Sequence, residues 1–311
     1  MMDIKQLKAL TALEEYGGFS RAAAALETVQ SNISTHISKL ESELETILVD
    51  RRTGQLTIEG TAVSSRARII LSEIEYIQSD LFALKHDVRG SVRMGMIGTT
   101  ARWLIPPLLT ELKRRHPHLH LELAEGTTTS LEARLQNGTL DLALVNQPNY
   151  SEEFAFRTLF EEEYMLVLES TNPLASQESV TISDLDQMEL ILPPKGIVFR
   201  DMLDTLAKRH KVQFSIVAEV DGIRLISSMA FDGYAPAIIP ATAVPHNLRQ
   251  DWVAIPVRDL PNRKIGISKR KRALDSAPTV ALLSLLNEIF SETRPKNFLV
   301  PEGIHKLAKE V

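Results

Sequence analysis

Residues 18–41 constrain this chain more than any other stretch. Ala22, Ala23 and Leu26 share one face of a short helix expected to be capped by Ser20. Ile33, Ile37, Leu40 and Leu44 recur at the four-three-four spacing of a second helix. Small alanines let two helices approach closely, and the polar turn at Glu27–Gln30 supplies the tight corner of a helix-turn-helix. The opposite face of the second helix carries Gln30, Ser31, Asn32, Ser34, Thr35, His36 and Ser38. Short hydrogen-bonding side chains of this kind suit base edges and phosphates in a DNA major groove, whereas an idle solvated helix would show Glu and Lys pairs. The plainer alternative is a helical hairpin whose polar face touches only water.

Charge gives this reading little help. Residues 1–60 hold six Lys or Arg against nine Asp or Glu, and the whole chain carries −5, so no general affinity for polyanions is expected. Placement matters more than the sum. Arg21 lies on the first helix of the motif, Lys39 late on the second, and Arg51 and Arg52 just beyond it. Residues 49–58 read as a small two-stranded wing turning at Thr53-Gly54, with both arginines set to meet phosphates. Ser20 and Thr53 complete the expected DNA-facing set.

Upstream of the motif, Ile4, Leu7, Leu10 and Leu13 stripe a first helix that ends at Gly17-Gly18. Downstream, residues 60–88 read as one long helix. Ile70, Ile74, Ile77, Leu81, Leu84 and Val88 recur there at the spacing of a heptad seam. Such a narrow apolar stripe is expected to pair with a second copy, and a dimer suits two DNA half-sites. Packing on the chain's own second domain is the alternative. Arg89-Gly90-Ser91 then reads as a hinge.

From residue 92 strands alternate with helices, as in parallel sheets covered by helices. Val92–Ile97, Leu119–Ala124, Leu140–Val145, Tyr164–Leu168, Leu190–Leu192, Ser215–Val220, Ala237–Ile239 and Val253–Val257 are expected strands. Hydroxyl residues gather where strands end and helices begin: Thr99 and Thr100 after the first strand, Thr127 to Ser130 after the second. Carboxyl ends of strands form the crevice of open α/β sheets, and helix N-termini there favour a small anion. Plain N-capping by Thr and Ser is the alternative.

Enzyme motifs are missing. There is no Gly-x-Ser-x-Gly elbow, HExxH pair or P-loop, and Gly95 and Gly98 lack the third glycine of a dinucleotide fingerprint. His116, His118 and His120 straddle Pro117 without a carboxylate partner, so neither metal nor cofactor is expected. The chain has no cysteine, which excludes disulfides and thiolate chemistry. Its N-terminus lacks the apolar core of a signal peptide and no apolar run approaches the ~18 residues of a membrane span. A cytoplasmic protein without a membrane partner is expected.

These features together resemble the LysR-type transcriptional regulators, over about residues 3–293. The likeness is carried by Gly18-Phe19-Ser20-Arg21-Ala22-Ala23, Leu26, Gln30 to Ser34, Ile37, Leu40-Glu41 and Leu44. Arg51, Leu56-Thr57 and Glu59-Gly60 follow at the family's spacing. Further similar runs are Leu131 to Leu144 around Gly138 and Asp141, and Gly233 to Pro240. The resemblance implies an all-α winged helix-turn-helix with a long linker helix, then a two-lobed α/β effector domain like the type 2 periplasmic binding proteins. Residues 1–58 would bind DNA, 59–89 would form the dimerising linker, and 92–293 would hold the effector. Lobe 1 would take residues 92–165 and 268–293, lobe 2 residues 166–267, leaving 294–311 as a C-terminal tail. The crossovers are expected near Leu166 and Ile265–Lys269.

The implied partners are double-stranded operator DNA, a second or fourth copy of the chain, and a small effector of anionic character, with RNA polymerase a further candidate. Thr99, Thr100, Thr128 and Asn146 would line the effector cleft from one lobe, and the turn at Lys195 and Gly196 from the other. Thr35, His36, Glu45, Val49, Asp232 and Pro236 depart from the family's usual residues. A solute-binding protein and an α/β-cleft enzyme are the rival readings; the missing catalytic set speaks against the second.

Overall fold

The computed structural model describes residues 1–85, 87–148, 152–245, 251–291 and 303–306. Three helices open the chain: α1 (Ile4–Tyr16), α2 (Phe19–Ala25) and α3 (Gln30–Leu44). A capping box between Asp3 and Gln6 starts α1, and Gly17 ends it at a φ of 62°, a conformation glycine adopts without a Cβ penalty. The three helices close over Leu10, Leu13, Ala22, Ile33, Ile37 and Leu40, all buried. Leu26 and Leu44, expected in this core, are partly exposed at its rim. The close approach of α2 to the core therefore rests chiefly on Ala22 and Ala23.

α2 departs from its expected start. Its N-cap is Gly18, which offers no side chain, and Ser20 lies inside the first turn. At the far end of α3, Glu45 occupies the left-handed region with φ 51° and ψ 35°, the place where glycine is usual. The wing is reduced to one antiparallel bridge, Val49 to Leu56, closed at Gly54 with a φ of 71°. The Asp50 carboxylate accepts from the amides of Arg52 and Thr53 and so shapes the turn.

The long helix α4 (Ile58–Ala83) follows, capped by Thr57 through the amide of Gly60. Its two faces differ in chemistry. Ile70, Ile74, Ile77, Leu81 and Leu84 lie substantially exposed along one side. Gly60, Ser64, Ala67, Ser72 and Ser79 are buried along the other.

Beyond α4 the chain builds two sheets. The elements are β1 (Gly90–Met96), α5 (Gly98–Arg115), β2 (Leu119–Glu125), α6 (Thr128–Gln136), β3 (Leu142–Asn146), β4 (Phe154–Glu162) and β5 (Tyr164–Glu169). There follow β6 (Glu189–Leu192), α7 (Val198–His210), β7 (Ser215–Glu219), α8 (Ile223–Phe231), β8 (Ala237–Pro240) and β9 (Trp252–Pro256). The last are β10 (Arg263–Arg270), α9 (Ala277–Ile289) and β11 (Ile304–Lys306).

Strand order is β11-β4-β10-β3-β1-β2 in the first sheet and β7-β6-β8-β5-β9 in the second. In the first sheet, β1 runs parallel to β2 and β3, while β10 is antiparallel to β3 and β4. The chain passes between sheets at Glu163 and returns between Pro256 and Arg263. Both crossings fall a few residues before the expected positions, because β4 ends at Glu162 and β10 is continuous in the first sheet from Arg263 onward.

Near-continuous apolar strands explain why each sheet is covered on both faces. Leu142 to Val145 are all buried beneath α5, α6 and α9, and Trp103 meets Phe160 edge-on at 5.9 Å. Leu166, Leu168, Leu190, Leu192, Leu203 and Ile238 form the counterpart core of the second lobe. Of the expected C-terminal tail, residues 304–306 pair antiparallel with β4 as an edge strand; its other residues lie outside the described residues apart from Gly303.

Candidate nucleic-acid interface and inter-lobe cleft

The polar face of α3 stands clear of the three-helix core. Gln30, Ser31, Asn32 and Thr35 are exposed, and Ser34 and His36 half-buried, while Ile33, Ile37 and Leu40 hold the helix down. Several polar side chains are already oriented. Ser20 Oγ donates to Gln30 Oε1 at 2.9 Å, and Asn32 Nδ2 donates to Thr28 Oγ1 at 2.9 Å. Thr35 Oγ1 donates to the Ser31 carbonyl at 2.8 Å, which spends its proton on the helix itself. Arg21 Nε donates to the Gly17 carbonyl at 2.6 Å, so its guanidinium is held beside the start of α2.

The two wing arginines part company. Arg51 Nη2 donates to Glu41 Oε2 at 2.6 Å and to Ser38 Oγ at 3.2 Å, and its guanidinium lies 5.3 Å from the Phe19 ring centroid. Arg51 is therefore a staple between wing and α3 as much as a cation for phosphate. Arg52 is exposed, as are Lys39 and Thr53, and neither cation is ion-paired among the described residues. Two further residues belong to this surface without having been expected there. Val29, the N-cap position of α3, is 60% exposed beside Gln30, an apolar contact point at the tip of the helix. Glu41 Oε1 accepts from the buried amides of Leu48 and Val49 at 2.9 and 3.1 Å and anchors the wing.

The second site is a cavity of about 570 Å³ between the two sheets. Carboxyl ends of β1, β2 and β3 lead into it, followed by the first residues of α5 and α6. Thr99, Thr128 and Asn146 line it from the first lobe; Ile197, Phe199 and Ile223 line it from the second. Three helix N-termini converge there: Gly98 of α5, Thr127-Thr128 of α6 and Gly222-Ile223 of α8. First-turn amides and helix dipoles make a positive field without a formal charge.

Arg263, at the start of β10, lines the cavity, its side chain 12% exposed. Its Nη1 lies 3.1 Å from Glu162 Oε1 and 3.5 Å from Thr99 Oγ1, and its Nε donates to Asn146 Oδ1. Glu162 is wholly buried, and its other oxygen accepts from the Thr242 amide at 2.9 Å. Although the Arg263–Glu162 ions are close, Glu162 Oε1 lacks a well-aligned hydrogen bond among the described residues. We read the pair as a charge contact rather than a saturated one. Tyr164 stacks on Phe199 with ring centroids 4.4 Å apart, and burial pushes its phenol above the usual range, so it stays a neutral donor. At the mouth, Arg224 Nη2 meets Glu125 Oε1 at 2.9 Å.

The structure redistributes the residues expected in this cleft. Thr99, Thr128 and Asn146 line it. Thr100 does not: it is wholly buried on the far side of α5, because consecutive helical residues point about 100° apart. Lys195 and Gly196 are exposed on a turn outside the cavity, and their neighbours Pro193 and Ile197 line it instead. The Gly196 amide donates to Asp201 Oδ1 at 3.1 Å, and a φ of 89° turns the loop outward. Thr127 does what plain capping requires, accepting from the Ser130 amide at 3.3 Å, while the buried Thr128 hydroxyl has no partner among the described residues. Arg263, Arg224, Tyr164 and Phe199 gave no sequence signal, since nothing local marks a residue that meets Thr99 from 164 positions away. Of the three histidines, His118 Nδ1 sits 2.9 Å from Asp87 Oδ1 on the surface.

Known proteins share both halves of this geometry. A model of the LysR substrate binding domain matches residues 85–291, and one of the bacterial regulatory helix-turn-helix protein, lysR family, matches residues 4–61. The hydrogen peroxide-inducible genes activator of Pectobacterium carotovorum subsp. carotovorum is 29% identical over 81% of this chain and 84% of its own length. The DNA-binding transcriptional dual regulator OxyR of Escherichia coli (strain K12) is 28% identical over 86% and 90%. A full-length OxyR variant from Pseudomonas aeruginosa superposes with a TM-score of 0.76 at 22% identity, covering 99% of each chain. CbnR, a LysR family transcriptional regulator, superposes at 0.65 with 22% identity over 94% of this chain and all of that one. Among the described residues no helix is long and apolar enough to cross a membrane.

Proposed function

Since the chain belongs to the LysR family of bacterial regulators, we propose that it binds operator DNA as a homodimer or homotetramer and regulates transcription in response to a small molecule held between its lobes. One observation carries the reading: a helix with an ordered polar face and a cavity ringed by helix N-termini occur in one chain, joined by α4.

On the DNA side, Gln30, Ser31, Asn32, Ser34 and Thr35 present the base-reading edge, with Ser20 orienting Gln30 and His36 at its flank. Val29 suits the methyl group of a thymine. Arg21, Lys39, Arg52 and the backbone around Thr53 serve the phosphates, and Arg51 contributes there only as far as Glu41 leaves it free. The exposed seam of α4 supplies the dimer contact, and pairing doubles a weakly cationic surface. Residues 1–58, 59–89 and 92–293 are the DNA-binding, linker and effector units of this reading.

The effector is proposed to be a small carboxylic acid with an apolar body. Thr99, Thr128, Asn146 and Arg263 receive the anionic end, and Ile197, Ile223 and the Tyr164–Phe199 stack receive the rest. Thr100, Lys195 and Gly196 have no part in it. Several relatives are named hydrogen peroxide-inducible activators. A chain with no cysteine has no thiolate to oxidise, so a reversibly bound ligand is the proposed signal. The relatives are named as transcriptional regulators, and the protein is read as a cytoplasmic regulator rather than an enzyme.

The test is a thermal-shift and calorimetric screen of the full chain with aromatic and aliphatic monocarboxylates. A saturable hit is expected, and Thr128→Val should weaken it roughly tenfold, the worth of one hydrogen bond to a charged group, while leaving the unliganded protein as stable as before. Absence of any saturable hit, or chemical turnover of one, sinks the proposal.

A further inference from the structure

The buried face of α4 meets the first lobe through an unusually polar contact. Asp141, just before β3, has a side chain only 6% exposed, and its carboxylate is surrounded by donors. Tyr76 Oη donates to its Oδ1 at 2.5 Å, and Arg93 donates through its amide at 2.8 Å, through Nη2 at 2.7 Å and through Nε at 3.3 Å. Arg93 Nη2 also reaches Ser72 Oγ at 2.8 Å and Tyr76 Oη at 3.2 Å. Burial and the Asp141 charge raise the Tyr76 phenol, which keeps it a donor. One turn earlier, Arg68 donates to the Asn137 carbonyl at 3.1 Å and to Glu14 Oε2 at 2.6 Å, which ties α1 of the DNA-binding unit to the same contact.

Three observations set this cluster apart from ordinary lobe packing. Its members on α4 are polar, while Ile70, Ile74, Ile77 and Leu81 of that helix face the other way and Ile69 against Gly138 supplies a small apolar contact, so modest hydrophobic burial resists separation. A cavity of about 810 Å³ lined by Glu14, Arg68, Tyr76, Arg93 and Asn137 runs alongside, leaving room for the helix to tilt. Most telling is where the cluster is rooted. Arg93 lies on β1 and Asp141 precedes β3, neighbours in parallel register from Met94–Leu142 to Met96–Leu144. The far ends of these two strands deliver Thr99 and Asn146 to the cleft, roughly 17 Å away at 3.3 Å per residue.

We propose that Ser72, Tyr76, Arg93 and Asp141 form a latch that clamps the linker helix to the first lobe, and that strands β1 and β3 carry a change in cleft occupancy to it. Sub-ångström movement of two stiff strands misaligns several short charge-assisted hydrogen bonds together, which makes the contact two-state rather than gradual. An open latch frees α4, and with it the spacing between the two recognition helices of a dimer. The role assigned to the cleft rests on the function proposed above; the clamp itself does not, and the two are tested apart.

Hydrogen exchange on the full-length chain without any ligand reads the clamp. Tyr76→Phe keeps the ring and removes only the hydroxyl; Asp141→Asn keeps the shape and removes the charge. Both are expected to speed exchange in residues 69–83 roughly ten- to a hundredfold, the loss of one charge-assisted hydrogen bond, with the three-helix unit and the second lobe unchanged. Faster exchange confined to β1 and β3, with α4 as protected as before, would make the cluster plain lobe stabilisation and overturn the latch. Leu225→Trp, which fills the half-exposed cleft mouth, tests the coupling. A threefold or larger change in exchange of residues 69–83 is expected; no change there overturns the link from cleft to latch while leaving the clamp measured by the first two variants.

Discussion

Glu41 offers the sharpest test of how the DNA-binding unit is held together. It projects from α3 with its side chain 14% exposed. One oxygen accepts from the amides of Leu48 and Val49, both wholly buried, and the other from Arg51. Replacing it with alanine strands two buried donors and releases the wing arginine. Two hydrogen bonds to a charged acceptor are worth roughly 1.5 kcal/mol each, and the partly exposed Arg51 pair about 0.5 kcal/mol. Glu41→Ala should therefore cost about 3.5 kcal/mol, most of what a three-helix unit of this size has to spare. Glu41→Gln retains a carbonyl oxygen in the same place and should cost about half as much. Urea unfolding followed at 222 nm reads the helices. Both tryptophans, Trp103 and Trp252, lie in the effector half, so their fluorescence is an internal control that should not move. A loss below about 1 kcal/mol for the alanine variant, or equal losses in both optical signals, would refute the reasoning.

Other outcomes follow from the same structure. Glu45→Gly should stabilise the DNA-binding unit by about 0.5–1 kcal/mol, because it relieves a left-handed residue with a Cβ; a lower 222 nm midpoint would contradict this. Arg52→Ala should weaken binding to all duplexes alike and reduce the salt slope by about 0.9 per protomer, whereas Arg51→Ala should change it less and destabilise the wing; titrations at several salt concentrations separate the two. Ile77→Glu with Leu81→Glu on the exposed seam should leave thermal stability of the single chain intact and give monomers at micromolar concentration by sedimentation, an outcome that an unchanged dimer would rule out.

Part of this was legible in the chain itself because it is local. Ile33, Ile37 and Leu40 at helical spacing, with a polar opposite face, define an amphipathic helix whatever surrounds it. The apolar seam of α4 and the strand-helix alternation beyond it are periodic signals of the same kind, and the family motifs sit on them. Where side chains at the ends of elements point is a different matter. Ser20 was expected as a cap and instead orients Gln30, since the turn at Gly17-Gly18 sets the helix start one residue before it. Thr99 and Thr100 look equivalent in sequence, yet a turn of the helix sends one into the cleft and the other into the core.

The sequence by itself marked a helix with a polar face opposite its core stripe, an apolar seam along the linker and a body of alternating strands and helices, because periodicity of apolar residues is enforced by water along each element separately. The DNA-binding role and the two lobes followed from the family resemblance. Only the tertiary structure decided which residues meet along the cleft wall and along α4. Arg263 reaches Asn146 across 117 positions and Tyr76 reaches Asp141 across 65. Such contacts depend on how two sheets and a helix are placed in space, and no local pattern records that placement.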